Sequence, residues 1–143
     1  ALEDSGVRSH VYGARDGLTE VVQEGSLSYR PFANEAFIDD LRTARGVVGS
    51  AGYSLMSEAV YLRKPMLALP LAGQFEQEMN ARYLERLGFG TAAPALDEAA
   101  LERFLAREPE HERALAAYEQ DGNTEALDVI DGLVEELAGG RRT

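Results

Sequence analysis

Residues 46–90, GVVGSAGYSLMSEAVYLRKPMLALPLAGQFEQEMNARYLERLGFG, decide the fold of this chain. Two short apolar runs, residues 46–49 and 66–69, have the composition of buried parallel strands. Each run is followed by a small or polar turn, and then by apolar residues at helical spacing. This order predicts a strand, a turn, a helix, a second strand, a polar loop and a second helix.

The two polar turns of this stretch are residues 50–54 and residues 73–77. The hydroxyl of Ser54 is predicted to cap the first helix, and Pro65 and Pro70 mark the ends of the first helix and the second strand. In parallel α/β sheets, ligands bind outside the carboxyl ends of the strands. Both turns follow such ends, so the sequence predicts a binding site formed by the two of them.

The composition is that of a single globular domain with an apolar core. The chain has 143 residues, of which 45% are hydrophobic and 27% are charged. It contains no cysteine, which excludes disulfides and thiolate metal sites. No apolar run approaches the roughly 20 residues of a transmembrane helix.

The formal net charge of the chain is −11. Such a charge argues against a nucleic acid as partner, because the phosphate backbone binds basic surfaces. It also argues against electrostatic attachment to anionic lipid over the whole surface. An ordinary acidic protein and a protein from a salt-adapted host both fit this charge, and the sequence leaves the two open.

The segment before residue 46 is predicted to contain two strands and a helix. Residues 9–13 and 26–30 have strand composition, whereas residues 18–24 fit a strand or a helical turn equally well. Asn34 is predicted to cap a helix over residues 35–44.

The segment after residue 88 is predicted to contain a last short strand and three helices. The strand is expected at residues 89–93, and Asp97 is expected to open the first helix. Pro109 is expected to end that helix, and a short helix and a final helix capped by Asn123 follow it. The last helices are expected to pack on the outside of the sheet, and residues 139–143 to form a frayed tail.

A series of short motifs occurs in this order along the deciding stretch. They are Gly49-Ser50-Ala51-Gly52, Ser57-Glu58-Ala59, Lys64-Pro65, Leu69-Pro70, Gln74-Phe75-Glu76-Gln77, Asn80-Ala81, Leu84 and Gly88. The series resembles the donor-binding half of GT-B glycosyltransferases, and in particular the peptidoglycan N-acetylglucosaminyltransferases and the UDP-glycosyltransferases. The resemblance implies a Rossmann-like parallel sheet flanked by helices, which is one half of a GT-B enzyme. Residues 1–143 would then be the nucleotide-sugar-binding C-terminal domain of a longer two-domain chain.

The resemblance also implies roles for particular residues. The turn at residues 50–54 would bind the diphosphate, Glu58 would accept hydrogen bonds from the ribose hydroxyls, and two glutamines would reach the sugar. The expected nucleotide-sugar site consists of Ser50, Ala51, Gly52, Tyr53, Ser54, Glu58, Gln74 and Gln77. Each feature also has a purely structural interpretation: a tight turn, a solvated helix carboxylate, and surface or capping amides.

Other polar residues are expected to have structural roles. Asn80 would support the neighbouring loop from its helix, and His10 and His111 would be ordinary surface or strand-end residues. Asp39 and Asp40 would lie on a solvated helix face. In many relatives a serine or threonine stands at the position of Leu55, and a small residue or a histidine at that of Tyr53. The resemblance therefore implies one hydroxyl fewer in the phosphate site of this chain.

The function implied by the resemblance is donor binding in an inverting glycosyltransferase that uses a UDP-sugar, without a metal or another cofactor. The catalytic base is expected in the missing N-terminal acceptor domain, so no catalytic residue is identified in this chain, and the acceptor is unknown. We expect the isolated chain to be inactive. The enzyme is expected in the cytoplasm, with peripheral membrane attachment through the missing half as an alternative. A non-catalytic binding module and a sugar-nucleotide epimerase or hydrolase of the same fold remain the alternatives.

Overall fold

The computed structural model describes residues 1–139, and strands alternate with helices along them. The elements in order are β1 Ser9–Tyr12, β2 Val22–Glu24, β3 Leu27–Arg30, α1 Asn34–Thr43, β4 Val47–Gly49, α2 Tyr53–Tyr61, β5 Met66–Ala68, α3 Phe75–Arg86, β6 Gly90–Ala92, α4 Glu98–Ala117 and α5 Thr124–Gly139. The α/β class and the strand–helix order of the deciding stretch are confirmed. The predicted tail beyond residue 139 lies outside the described residues.

The β4–β5–β6 sheet is entirely parallel, with β5 in the centre. All three residues of β5 are fully buried, and their side chains alternate between two apolar clusters. Met66 and Ala68 join a cluster that includes α2 and α3, whereas Leu67 packs with Phe104 and Ala100 of α4. Helices therefore cover both faces of this sheet, as a Rossmann-like fold requires.

Close packing between β5 and β6 depends on a glycine. A Cβ at Gly90 would lie 2.0 Å from the carbonyl oxygen of Met66 and 2.8 Å from the side chain of Leu84. No side chain fits in this space, so only glycine allows the two strands and α3 to approach so closely.

The β1–β3–β2 sheet is mixed. Strand β1 pairs with β3 in parallel, whereas β2 pairs with β3 in antiparallel orientation. The ambiguous residues 18–24 thus end in a strand, which turns back at Gly25 with a φ of 56°. Of the strand residues in this sheet, Leu27 and Ser28 are buried and the others are half-buried or exposed.

Two predicted helix caps have opposite outcomes. Asp97 is the N-cap of α4, and its side chain accepts a hydrogen bond of 2.7 Å from the backbone N–H of Ala100, so this prediction is confirmed. The prediction that Asn34 is an N-cap is wrong. Ala33 has the extended N-cap conformation, and α1 begins one residue earlier than expected.

Pro109 does not end a helix, which corrects the sequence prediction. Helix α4 continues through it to Ala117, and its buried side chains form one stripe on both sides of the proline. These side chains are Leu101, Phe104, Glu108, His111 and Leu115. Proline costs about 3 kcal/mol inside a helix, and burial of a continuous stripe three and four residues apart offsets this cost.

His111 lies inside the protein, and its prediction as a surface or strand-end residue is wrong. It is 0% exposed and stacks on Phe104. Its Nδ1 donates a hydrogen bond of 2.8 Å to the carbonyl oxygen of Gly88, and its Nε2 lies 3.1 Å from the hydroxyl of Thr91. The imidazole therefore joins α4 to β6 and the residues before it.

The final helix differs from the others in its exposure. Helix α5 begins at Thr124, directly after the predicted cap Asn123. Its apolar side chains are between 53% and 75% exposed, so the prediction that it packs on the sheet is wrong for α5, whereas α4 does pack there. The apolar residues of α5 are Leu127, Val129, Ile130, Leu133, Val134 and Leu137. Within residues 1–139, no helix combines the length and the apolar character needed to cross a membrane.

Candidate functional site

The first part of the predicted site is the turn between β4 and α2. Gly52 is the N-cap of α2, with a φ of −69° and a ψ of 138°. A Cβ at this position would have only the hydroxyl of Ser50 nearby, at 3.9 Å. Neither backbone conformation nor packing requires glycine here, so a requirement for glycine would have to come from a ligand that approaches the backbone closely.

The amino-terminal end of α2 has no side-chain cap. Ser54 lies inside the helix, and its carbonyl oxygen accepts a hydrogen bond from the hydroxyl of Ser57, so the predicted cap by Ser54 is wrong. The reason is that Gly52 adopts the extended N-cap conformation two residues earlier, which places Ser54 in the first turn. This helix end therefore keeps backbone N–H groups and a positive dipole end available to an anion.

The side chains of the turn face in different directions. Ala51 is 0% exposed and belongs to the apolar core, so it can offer only backbone groups to a ligand. Ser50, Tyr53 and Ser54 are exposed, Tyr53 to 70%. Leu55 packs against the apolar core, so its side chain contributes to folding.

Glu58 is an exposed residue in the middle of α2. It lies four residues after Ser54, and residues with this spacing lie on the same helix face with Cβ atoms about 5–6 Å apart. Ser54 and Glu58 are therefore neighbours on one exposed face of α2, with Ser54 near the helix end and Glu58 one turn further along.

The second part of the predicted site is the loop between β5 and α3. The loop contains Gly73, with a φ of 79°, and ends at Gln74, the N-cap of α3. Gln77 holds the loop from the helix, because its Oε1 accepts from the N–H of Leu71 at 3.0 Å and its Nε2 donates to Oε1 of Gln74 at 2.7 Å. The amide nitrogen of Gln74 remains at the exposed end of this chain of bonds.

The structure brings the two parts together. Gly49 and Ala68 are register partners in adjacent parallel strands, so the turn after β4 and the loop after β5 leave the same edge of the sheet. Asn80 of α3 donates a hydrogen bond of 3.0 Å to the carbonyl oxygen of Ala51 and so connects α3 with the turn. This contact agrees with the expectation that Asn80 supports a neighbouring loop.

A polar cluster in the β1–β3–β2 sheet was not predicted. Asp40 of α1 accepts hydrogen bonds from the hydroxyl of Tyr12 and from Nη1 of Arg30, and lies 2.9 Å from Nδ1 of His10. Its side chain is 18% exposed, so its assignment to a solvated helix face is wrong. Tyr12 and Arg30 are register partners in β1 and β3, and they place donors at one position of the sheet.

This cluster changes the acidity of one phenol. Burial is the main cause that raises the pKa of Tyr12 above its ordinary value, and the hydrogen bond and negative charge of Asp40 raise it further. In the sequence, the two-residue spacing of His10 and Tyr12 places both on one face of a strand and indicates the strand side of this polar cluster. The partner on α1 was not evident, because it lies 28 residues from Tyr12 along the chain.

Comparison with known proteins assigns the chain to a family. The model of the family described as glycosyl transferase family 1 matches residues 1–109, which is well over half of the chain. The chain belongs to this family.

Individual relatives agree with the family assignment. The chain is 27% identical over 140 residues to the UDP-N-acetylglucosamine–N-acetylmuramyl-(pentapeptide) pyrophosphoryl-undecaprenol N-acetylglucosamine transferase of Geobacillus thermodenitrificans. The match covers 90% of this chain but 38% of that relative. The crystal structure of the glycotransferase of kitacinnamycin matches with a TM-score of 0.55 and 19% identity, over 83% of this chain and 32% of the other. The chain thus spans about a third of the length of these relatives.

The family match covers the parts of the molecule that form the candidate site. Residues 1–109 include both sheets, the turn after β4 and the loop before α3, whereas α5 lies outside the match. The likeness in fold supports the assignment of this domain to one half of a GT-B glycosyltransferase. The family assignment places the chain among the glycosyltransferases.

Proposed function

We propose that this domain binds the UDP-sugar donor of an inverting glycosyltransferase. The observation that carries the proposal is the uncapped amino-terminal end of α2, which lies at the carboxyl edge of the sheet with Ser54 and Glu58 on one exposed face. Such a helix end suits a diphosphate, and a carboxylate one turn away suits a ribose diol. The name of the Geobacillus thermodenitrificans relative includes UDP-N-acetylglucosamine, which supports a UDP-sugar as the donor class.

The proposed residues divide among the parts of the donor. Backbone N–H groups of residues 50–54 bind the diphosphate, and Glu58 accepts hydrogen bonds from the ribose hydroxyls. Gln74 presents its amide to the sugar, with Gln77 beside it. We assign the ring of Tyr53, which belongs to the same turn and is 70% exposed, to the edge of the donor site.

The proposed reaction is a single displacement at the anomeric carbon. The oxygen of an acceptor hydroxyl forms a bond to that carbon, while the bond from the carbon to the diphosphate oxygen breaks and its electron pair leaves with UDP. A base in the N-terminal acceptor domain of the complete enzyme takes the hydroxyl proton. This domain stabilises the charge on the departing diphosphate through N–H groups and the helix dipole. We place the enzyme in the cytoplasm.

A nucleotide series tests the proposal. We expect the 143-residue chain to bind UDP more tightly than UMP, and UMP more tightly than uridine, in calorimetric titrations. The preference should persist in EDTA, because N–H groups rather than a metal ion would hold the phosphates. Equal affinities for the three compounds, or no binding of any of them, would contradict the proposal.

Variants at the turn and on α2 connect the binding to this site. Glu58→Ala should weaken UDP binding by about 1.5–3 kcal/mol, the range for hydrogen bonds to a charged group. Glu102→Ala, which removes an exposed carboxylate from α4, is the control and should leave the affinity unchanged. Gly52→Val should abolish UDP binding without unfolding the protein, because a Cβ at this position has only the hydroxyl of Ser50 within 4 Å. Unchanged UDP affinity in both site variants would show that UDP does not bind at this turn and helix.

A further inference from the structure

One hydrogen bond sets the direction of the diphosphate turn. Nδ2 of Asn80 donates to the carbonyl oxygen of Ala51 at 3.0 Å, across 29 residues of sequence. The bond is partly buried, and Ala51 itself is 0% exposed. The Ala51 carbonyl is therefore directed towards α3 and away from solvent.

The orientation of this carbonyl determines the orientation of the next N–H group. In a planar trans peptide, the C=O of one residue and the N–H of the next point in opposite directions. Because the carbonyl of Ala51 is directed towards Asn80, the N–H of Gly52 is directed away from α3. Gly52 is the N-cap of α2, so this N–H lies beside the uncapped first turn of the helix.

The same face of α3 also holds the other loop of the site. Gln77 lies three residues before Asn80, and this spacing places the two amides on one helix face. Gln77 binds the N–H of Leu71 and the side chain of Gln74, as Asn80 binds the turn after β4. Helix α3 thus supports both loops through side-chain amides, and neither amide has to contact a ligand to affect binding.

We propose that Asn80 is a positioning residue for the diphosphate, since its bond to Ala51 directs the N–H of Gly52 into the donor site. The inference rests on the proposed donor function and extends it to a residue outside the predicted site. Loss of the bond leaves the Ala51 carbonyl without its donor and allows the peptide between Ala51 and Gly52 to rotate. The turn then presents fewer N–H groups to the phosphates, whereas the nucleoside end of the site is unchanged.

The test compares Asn80→Leu, which keeps the size of the side chain and removes the donor, with Asn80→Ala and the unmodified protein. Arg82→Ala, at an exposed position of the same helix, is the control. We expect both Asn80 variants to lower the ratio of UDP affinity to uridine affinity about 10-fold, the effect of roughly one lost hydrogen bond together with misplaced N–H groups. Uridine affinity itself should change less than 2-fold. A general loss of structure would reduce both affinities, so the ratio distinguishes positioning from folding.

A second measurement without nucleotide separates this inference from the proposed function. We expect the amide NMR signals of Gly52 and Tyr53 to shift in both Asn80 variants and to stay unchanged in Arg82→Ala. Shifted signals in a protein that shows no preference for UDP would support the orienting bond and reject the donor function. A preserved preference for UDP in the Asn80 variants, or unshifted amide signals, would reject the role of Asn80.

Discussion

The two three-stranded sheets are stabilised in different ways. In the β4–β5–β6 sheet, every residue of the central strand is fully buried, and the side chains alternate between two apolar clusters. In the β1–β3–β2 sheet, most strand residues are half-buried or exposed, and Asp40 joins α1 to the sheet through Tyr12 and Arg30. The first sheet therefore depends on close packing, whereas the second also depends on polar contacts. Substitutions of the two kinds should affect the two sheets differently.

The largest effect is expected at the tightest contact of the β4–β5–β6 sheet. Gly90→Ala would place a methyl group 2.0 Å from the carbonyl oxygen of Met66, and neither strand can move without breaking the sheet. We expect the free energy of unfolding, measured with urea, to fall by more than about 3 kcal/mol. Gly132→Ala in α5 is the control. It has open space around its Cβ and should gain up to about 1 kcal/mol from helix propensity. A loss below 1 kcal/mol at Gly90 would contradict the packing argument.

A pair of identical truncations compares the two sheets directly. Leu67→Ala removes a fully buried side chain of β5 that packs with Phe104, and should cost about 3–4 kcal/mol. Leu27→Ala removes a side chain of β3 that is 9% exposed. It should lower the free energy of unfolding by about 2 kcal/mol or less, because neighbouring side chains can move into the cavity more easily at the edge of the core. Urea unfolding of both variants measures the difference. Equal costs would show that the two sheets do not differ in packing.

The same difference explains which features the sequence predicts. The buried strand β5 is evident from a continuous apolar run, and the cap at Asp97 from residues that are close together in the chain. The prediction that Pro109 ends a helix is wrong because the helix-breaking effect of proline is local, whereas the stabilising stripe of buried side chains extends along the whole of α4. Asp40 was misjudged because its partners come from two strands, 28 and 10 residues away.

In the candidate site, too, the sequence predicts the positions of the elements but not their contacts. The places of the turn after β4 and the loop after β5 follow from the strand ends, and the sequence predicts them. The cap at Ser54 was wrong by two residues, because the backbone of Gly52 rather than a hydroxyl begins the helix. The hydrogen bonds of Gln77 to Leu71 and Gln74 depend on the backbone conformation of the loop, which the spacing of residues in the sequence does not predict.

A smaller effect is expected at the polar cluster of the β1–β3–β2 sheet. Asp40→Asn removes the charge that pairs with Arg30 and accepts from Tyr12, and should lower the free energy of unfolding by about 1–2 kcal/mol. Asp39→Asn is a matched control on the same helix. Its carboxylate is 73% exposed and lies 3.6 Å from Arg42, a pair worth about 0–0.5 kcal/mol. Equal effects of the two substitutions would mean that the cluster adds nothing to the stability of this sheet.

The smallest expected effect concerns the pH dependence that Tyr12 gives to this sheet. Burial, and then Asp40, raise the pKa of Tyr12 above its ordinary value of about 10. Between that value and the raised pKa, the folded state keeps a proton that the unfolded state has lost. The free energy of unfolding therefore falls as the pH rises through this window, and the stabilisation by Tyr12 is complete below it.

Tyr12→Phe tests this dependence, because it removes the titrating group and keeps the ring that packs edge-on against Phe37. At pH 8 the variant should be less stable than the unmodified protein by about 1 kcal/mol, the contribution of one hydrogen bond. Above pH 10 the difference in the free energy of unfolding should shrink. The unmodified protein then loses the stabilisation by the protonated hydroxyl, which the variant lacks at every pH. Tyr61→Phe, at a position that is 69% exposed, controls for the loss of one phenol. A stability difference that stays constant from pH 8 to above pH 10 would show that the hydroxyl of Tyr12 does not stabilise the sheet through its proton. The polar cluster would then have to act through the charge of Arg30 and Asp40 alone.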